Sequence, residues 1–167
     1  MAQIEGRNDA FRQFTRGSLK PKRRGIVKFE YPKHVCFRCS RCALCCGDTE
    51  AKTRQILLLR AEAERIAEEI SKGLNEFAEE RNEADPFVYR MRKREGKCVF
   101  LRGNLCSIYD IRPIICRFYP FKLENLGRSR YAFSYTDECP GIGEGAHLKR
   151  SFFEGLFKEF LGSMNAG

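Results

Sequence analysis

The sequence predicts one small domain of the α+β class, mainly α, in which short strands and loops converge on cysteines. Three observations predict it. Two segments, 59–70 and 148–160, carry apolar residues at helical spacing. The other apolar runs alternate over only a few residues, as in FVYRMRKR and RYAFSYT. Nine cysteines, five of them packed into CFRCSRCALCC at 36–46, sit in stretches rich in turns. A length of 167 residues suits one domain with a modest core, and 43% hydrophobic with 32% charged residues describes a globular chain.

Residues 1–25 end in GSLKPKRRG and read as a basic N-terminal arm, with Phe11 and Phe14 able to pin a short helix to the domain that fills 26–167. IVKFEYPKHV reads as extended, and Pro32 argues against a central strand. Ile56–Leu59 reads as a short strand entering a helix. In that helix Leu59, Ala63, Ile66, Ala67 and Ile70 share a face and Gly73 marks the stop. Leu74–Arg81 reads as a second short helix, ended by Asp85-Pro86. Phe87, Tyr89 and Met91 then alternate as a strand. CVFLRGNLC reads as a hairpin turning at Gly103-Asn104. DIRPIICRF suits a short helix with Asp110 as N-cap and Pro113 in the first turn, stopped by Pro120. RYAFSYT is a strand. Leu148, Phe152, Phe153, Leu156, Phe157 and Phe160 form one broad stripe on a last helix, read as core packing.

The net charge is +9 and uneven. Residues 1–28 carry +6, 50–85 carry −4 and 86–167 carry +6. Such a distribution permits contact with a polyanion, and the N-terminal arm is where nucleic acid would be met; a protein partner is the leading expectation. MAQIEGRNDAFRQFTRG lacks the apolar core of a secretory signal, and no run approaches about 18 apolar residues, so a cytoplasmic chain without a membrane span is expected. Reducing conditions and an odd cysteine count both weigh against a disulfide framework.

Dense thiols in such a chain point to metal binding. A C-x-x-C turn presents two sulfurs to one point, and several such steps in series with distant cysteines in short loops form a strong signal. Two registers stay open. Cys36, Cys39, Cys42 and Cys46 satisfy a ferredoxin-like run, with Gly47 where proline is usual. Cys39, Cys42, Cys45 and Cys46 form the other, leaving Cys36 as an extra ligand. Adjacent residues diverge in extended chain, so Cys45 and Cys46 are expected to serve one metal unequally. Arg112 and Arg117 flank Cys116 and would offset thiolate charge. Tyr109, Phe118 and Tyr119 would pack around the site and exclude water. His34 and His147 are weaker candidate ligands.

FRCSRCALCC, KCVFLRGNLCSIYDIRPIICRFYP and ECPGIGEG together resemble the YkgJ-like cysteine-cluster proteins, the zinc- or iron-chelating CxxCxxCC domain. The resemblance spans about residues 35–145 and maps onto Phe37, Cys39, Cys42, Cys45, Cys46, Cys98, Cys106, Arg112, Pro113, Cys116, Arg117 and Cys139-Pro140-Gly141. Ala43 stands where the family has glycine, and Cys36 lies outside the pattern. The resemblance implies eight ligands: Cys39, Cys42, Cys45, Cys46, Cys98, Cys106, Cys116 and Cys139. It implies an iron–sulfur cluster of the 4Fe-4S kind or iron, with zinc as the alternative.

The leading reading is therefore an iron–sulfur or iron-binding protein serving electron transfer or assisting an enzyme. A structural zinc module contacting RNA or protein is the second. The third is an enzyme, because flagellin lysine N-methylases, which use S-adenosylmethionine, look like relatives. No Gly-rich cofactor loop or P-loop is present to support it.

Overall fold

The structure, a computed structural model, describes residues 28–82 and 86–165. The N-terminal arm at 1–25, its Phe11 and Phe14, and Asp85 lie outside the described residues.

Strands are as prominent as helices. The described residues form twelve short strands and four α-helices, 32% strand against 31% helix, so the expectation of a mainly α domain is corrected to a mixed fold. The reason is strand length. Most strands run two or three residues, too few for alternation to register, and several exist only because a neighbour supplies hydrogen bonds.

The largest unit is a three-stranded sheet. Strand β1 (Lys28–Glu30) runs parallel to β11 (Arg130–Tyr135), which pairs antiparallel with β10 (Phe121–Gly127). Phe121, Leu123, Tyr131 and Phe133 alternate inward. Across them lies the helix α4 (Arg150–Asn165), whose apolar stripe is core as expected. Phe153, fully buried, stacks on Tyr31 at 5.2 Å and meets Phe121 and Phe133 at 5.3 and 5.2 Å. Phe157 stacks on Phe29 at 5.3 Å. Aromatic pairs in these offset and edge geometries each add about 0.5–1.5 kcal/mol beyond their burial.

A second unit gathers around the helix α1 (Arg60–Ile70). Strands β3 (Leu57–Leu58), β5 (Tyr89–Met91) and β4 (Ala78–Glu80) form an antiparallel sheet in the order β3-β5-β4. Helix α1 ends at Ser71 in the left-handed conformation, two residues before Gly73. The second helix is one turn only, α2 (Leu74–Phe77), because Ala78 leaves it to pair with Met91. Both units belong to one apolar core.

The cysteines ride on the pieces between these units. Strand β2 (Cys36–Phe37) pairs with β12 (Ile142–His147). Hairpin β6 (Lys93–Arg94)–β7 (Lys97–Cys98) carries Cys98, and hairpin β8 (Leu101–Arg102)–β9 (Leu105–Cys106), turning at Gly103-Asn104 as expected, carries Cys106. The helix α3 (Ile114–Phe118) carries Cys116. Its N-cap is Pro113, not Asp110, which sits in a separate 3-10 turn at Tyr109–Ile111. Among the described residues no helix is long and apolar enough to cross a membrane.

Candidate metal centre

The cysteine run bends where its chemistry requires. Residues Leu44–Cys46 form a 3-10 turn entered through Ala43 in the left-handed region (φ 61°), with the Cys46 N–H donating to the Ala43 carbonyl at 2.9 Å. Positive φ is where glycine is at ease, which accounts for glycine at this position in the family pattern and makes Ala43 a mildly strained replacement. The turn also overrules the extended-chain expectation for the two adjacent thiols. Their sulfurs lie 3.7 Å apart. Two thiolates on one tetrahedral ion with bonds of about 2.3 Å stand about 3.8 Å apart, so the pair already has the spacing of one coordination edge.

Backbone clasps deliver the distant cysteines. Gly47 bridges to Lys97, the Asp48 N–H donates to the Gly96 carbonyl at 2.8 Å, and the Asp48 carboxylate pairs with Lys93. These contacts hold Cys98 beside Cys46. On the other flank the Arg38 N–H donates to the Gly141 carbonyl at 3.1 Å, which ties the Cys139 loop to the residue before Cys39. Glu138 adds ion pairs to Lys52 at 3.1 Å and Arg54 at 2.7 Å.

The resulting electrostatics sort the thiols into two neighbourhoods. Burial, followed by the charges of Cys45, Cys98 and Cys106, pushes the Cys116 thiol up. Cys98 and Cys106 are likewise raised by burial, and each also feels Cys45. Cys139 is raised by burial and then by Cys42, Cys45 and Cys39. Cys45 belongs to both neighbourhoods; its thiol is raised by the hydrogen bond with Cys46 and then by burial, while Arg54 opposes the shift. Shifts in this direction hold the thiols in their protonated form, and a bound metal would reverse that penalty. All nine cysteines are free thiols. Among the described residues, no three His, Cys, Asp or Glu side chains are disposed to enclose an ion. The donor set is soft sulfur, which fits zinc and iron.

Other expected residues scatter. Arg112 covers Tyr109, its guanidinium 3.8 Å from the ring centroid, and its charge opposes the rise at Cys106. Arg117 turns away to Glu159 and the Arg112 carbonyl. Phe118 packs in the aromatic core against Phe133 and Phe160, and Tyr109 stays 45% exposed, so neither seals the thiols. Tyr119 does reach the site. With Cys45 and Cys116 it lines a cavity of about 70 Å³, and burial pushes its hydroxyl up to about 12. His34 and His147 face one another at 6.0 Å. Cys36 lies in β2, Cα-paired with His147.

Arg54, Lys52 and Glu138 are the site residues that sequence reasoning passed over. The available signal was a pair of bases standing next to the cysteine run in an otherwise acidic segment.

Two proteins of Methanocaldococcus jannaschii are similar. Uncharacterized protein MJ0661 is 24% identical over 65% of this chain and 57% of its own length. Uncharacterized protein MJ0939 is 27% identical over 74% of this chain and 43% of its own. The chain thus spans about half the length of the curated relatives it matches. No solved structure matches it. A family model described as "Putative zinc- or iron-chelating domain" matches residues 38–140, a span that runs from the cysteine run to the Cys139 loop. The chain belongs to that family, CxxCxxCC.

Proposed function

We propose that this protein binds iron through its clustered thiolates and uses it in electron transfer or in support of a partner enzyme. The observation that carries the reading is the Cys45–Cys46 edge of 3.7 Å, with Cys98, Cys106 and Cys116 as electrostatic neighbours of Cys45. The inner ligand set is then the Cys45–Cys46 pair completed by two of Cys98, Cys106 and Cys116. Cys39, Cys42 and Cys139 form an outer set. Cys36 stays outside both.

The edge also bears on the kind of iron site. In a four-iron cluster each cysteine serves a different iron, so two ligands sit much farther apart than a single tetrahedral edge. The geometry therefore favours single ions over the 4Fe-4S cluster. It equally supports a second reading, zinc in structural sites. The cavity against Cys45 and Cys116 tips the balance toward a metal that meets other molecules, because structural sites are closed on all sides. The methyl-transfer alternative gains nothing from this cavity. At about 70 Å³ it is far below the roughly 300–1,000 Å³ that drug-sized ligands occupy.

Metal and acid-labile sulfide analysis of anaerobically purified protein tests the proposal. Iron without sulfide, lowered by half or more in Cys45→Ser and Cys116→Ser, is the expected result. Stoichiometric zinc selects the structural reading, iron with matching sulfide the cluster. Metal occupancy untouched by both substitutions overturns the ligand assignment.

A further inference from the structure

Two residues that line the cavity beside Cys45 each bury an unanswered polar atom. Among the described residues, Arg54 Nε and Tyr119 Oη are the buried side-chain nitrogen and oxygen atoms without a hydrogen-bond partner. Both residues line this one cavity. Buried polar groups are ordinarily paired, so two orphans on residues that line one cavity call for a ligand that satisfies them.

The chemistry of the ligand follows from the atoms. Arg Nε–H is a donor that cannot accept, and the tyrosine hydroxyl can donate beside it, so the ligand must present acceptor oxygens. The charged lining is Lys52, Arg54 and Lys122 against Glu138, a positive balance. Glu138 accepts from Arg54 Nη2 at 2.7 Å and from Lys52 Nζ at 3.1 Å. It steadies the guanidinium and leaves Nε unpaired. The Arg54 guanidinium also lies over the Tyr119 ring, 5.3 Å from its centroid, so the two donors are fixed against each other. The Arg54 side chain is only 11% exposed.

Size narrows the choice. One water needs about 10–15 Å³, so a cavity of about 70 Å³ takes a group of a few heavy atoms. We propose that this cavity binds a small oxyanion, a carboxylate or a phosphate-type group, held by Arg54 Nε–H and Tyr119 O–H against Cys45 and Cys116. Its placement beside a metal rests on the iron reading above; the anion contact itself does not.

The test uses the full chain, purified anaerobically with its metal. It is titrated calorimetrically with sodium acetate and, separately, with inorganic phosphate at constant ionic strength. Tyr119→Phe removes one oxygen and keeps the ring under Arg54. Arg54→Lys keeps the charge and removes the Nε–H. Saturable binding is expected, with each variant weakening it about tenfold or more, as befits a hydrogen bond to a charged group. Metal content is measured on the same samples, so that loss of the anion is told apart from loss of the metal. Preference for acetate identifies a carboxylate site, and preference for phosphate identifies the other source. Absence of saturable binding by either anion overturns the proposal, as does equal binding by wild type and Tyr119→Phe, the variant that decides if Arg54→Lys does not fold. Protein that purifies without metal yet binds anion through these residues sinks the iron reading alone. Metal-loaded protein indifferent to both anions sinks this site alone.

Discussion

Glu62 serves two helix starts at once. One carboxylate oxygen accepts from the Leu59 N–H at 3.0 Å at the head of α1, and the other accepts from the Ile114 N–H at 2.6 Å at the head of α3. It is the buried charged side chain among the described residues, 7% exposed. Helix N-termini leave N–H groups without intrahelical partners, and an anion there is favoured on both counts. Burial nonetheless dominates and raises the carboxyl above its usual range, against the two N–H bonds and the charges of Arg65 and Arg117. Because the folded-state value lies above the unfolded one, the linked stability is fully present below the ordinary carboxylate range. It is lost as pH rises through the raised value. Glu62→Gln turns an amide NH₂ toward one of the two N–H donors and should cost about 1–3 kcal/mol. The wild-type advantage should shrink as pH rises from about 4 to about 8. Denaturant unfolding of both proteins across that range checks it, and an advantage that grows with pH contradicts the assignment. Cys116 lies in the helix so anchored, which links this residue to the metal centre.

At the scale of elements, the pairing of β2 with β12 is the clearest case of a strand that no pattern announces. IGEGAH has one aliphatic side chain of any size and two glycines at positive φ. It is extended because the Cys139 loop must reach the Arg38 backbone. Gly141 marks that contact: a Cβ there would stand 2.4 Å from the Arg38 carbonyl oxygen. Backbone cannot yield as a flexible side chain does, so Gly141→Ala should lower stability by about 1–3 kcal/mol. It should also lower metal content, since Cys139 moves with the loop. Gly155→Ala, where nothing lies within 4 Å of the added methyl, is the matched control. At this exposed helical position it should add about 0.5–1 kcal/mol. Thermal melts with metal analysis separate the two, and equal behaviour counts against a close-approach role. Helices α1 and α4 were legible because eleven and sixteen residues repeat a face. Strand β10 was not: in its outer half Glu124 and Asn125 are polar, Leu126 is exposed and Gly127 ends it, so only its partner β11 betrays it.

For the molecule as a whole, folding and metal binding fall on different residues. The aromatic layer of α4 on β10 and β11 closes without help from any cysteine, through Phe153, Phe157, Tyr131 and Phe133. Apart from Cys116 on its short helix, the thiols instead sit on loops and two-residue strands, and their exposure is uneven: Cys98 and Cys139 are buried. Cys39 and Cys42 are exposed outright. This division explains what could be read in advance. Spacing and family resemblance made the cysteines visible as a set. Their grouping depends on which backbone meets which, as with Gly47 on Lys97, and spacing is silent on that. Arg54 was hidden for the same reason, since its partner Glu138 lies 84 residues away. If metal is the fastener of the loops, its removal should act locally. Hydrogen exchange on protein stripped by a chelator under reducing, anaerobic conditions should show lost protection at 36–48, 93–106 and 138–142. Amides of β10, β11 and α4 should keep most of theirs, and the melting midpoint should fall. Protection lost evenly across both regions would mean that the aromatic layer also depends on the ion; protection unchanged in the loops would mean that thiolate coordination holds nothing in place.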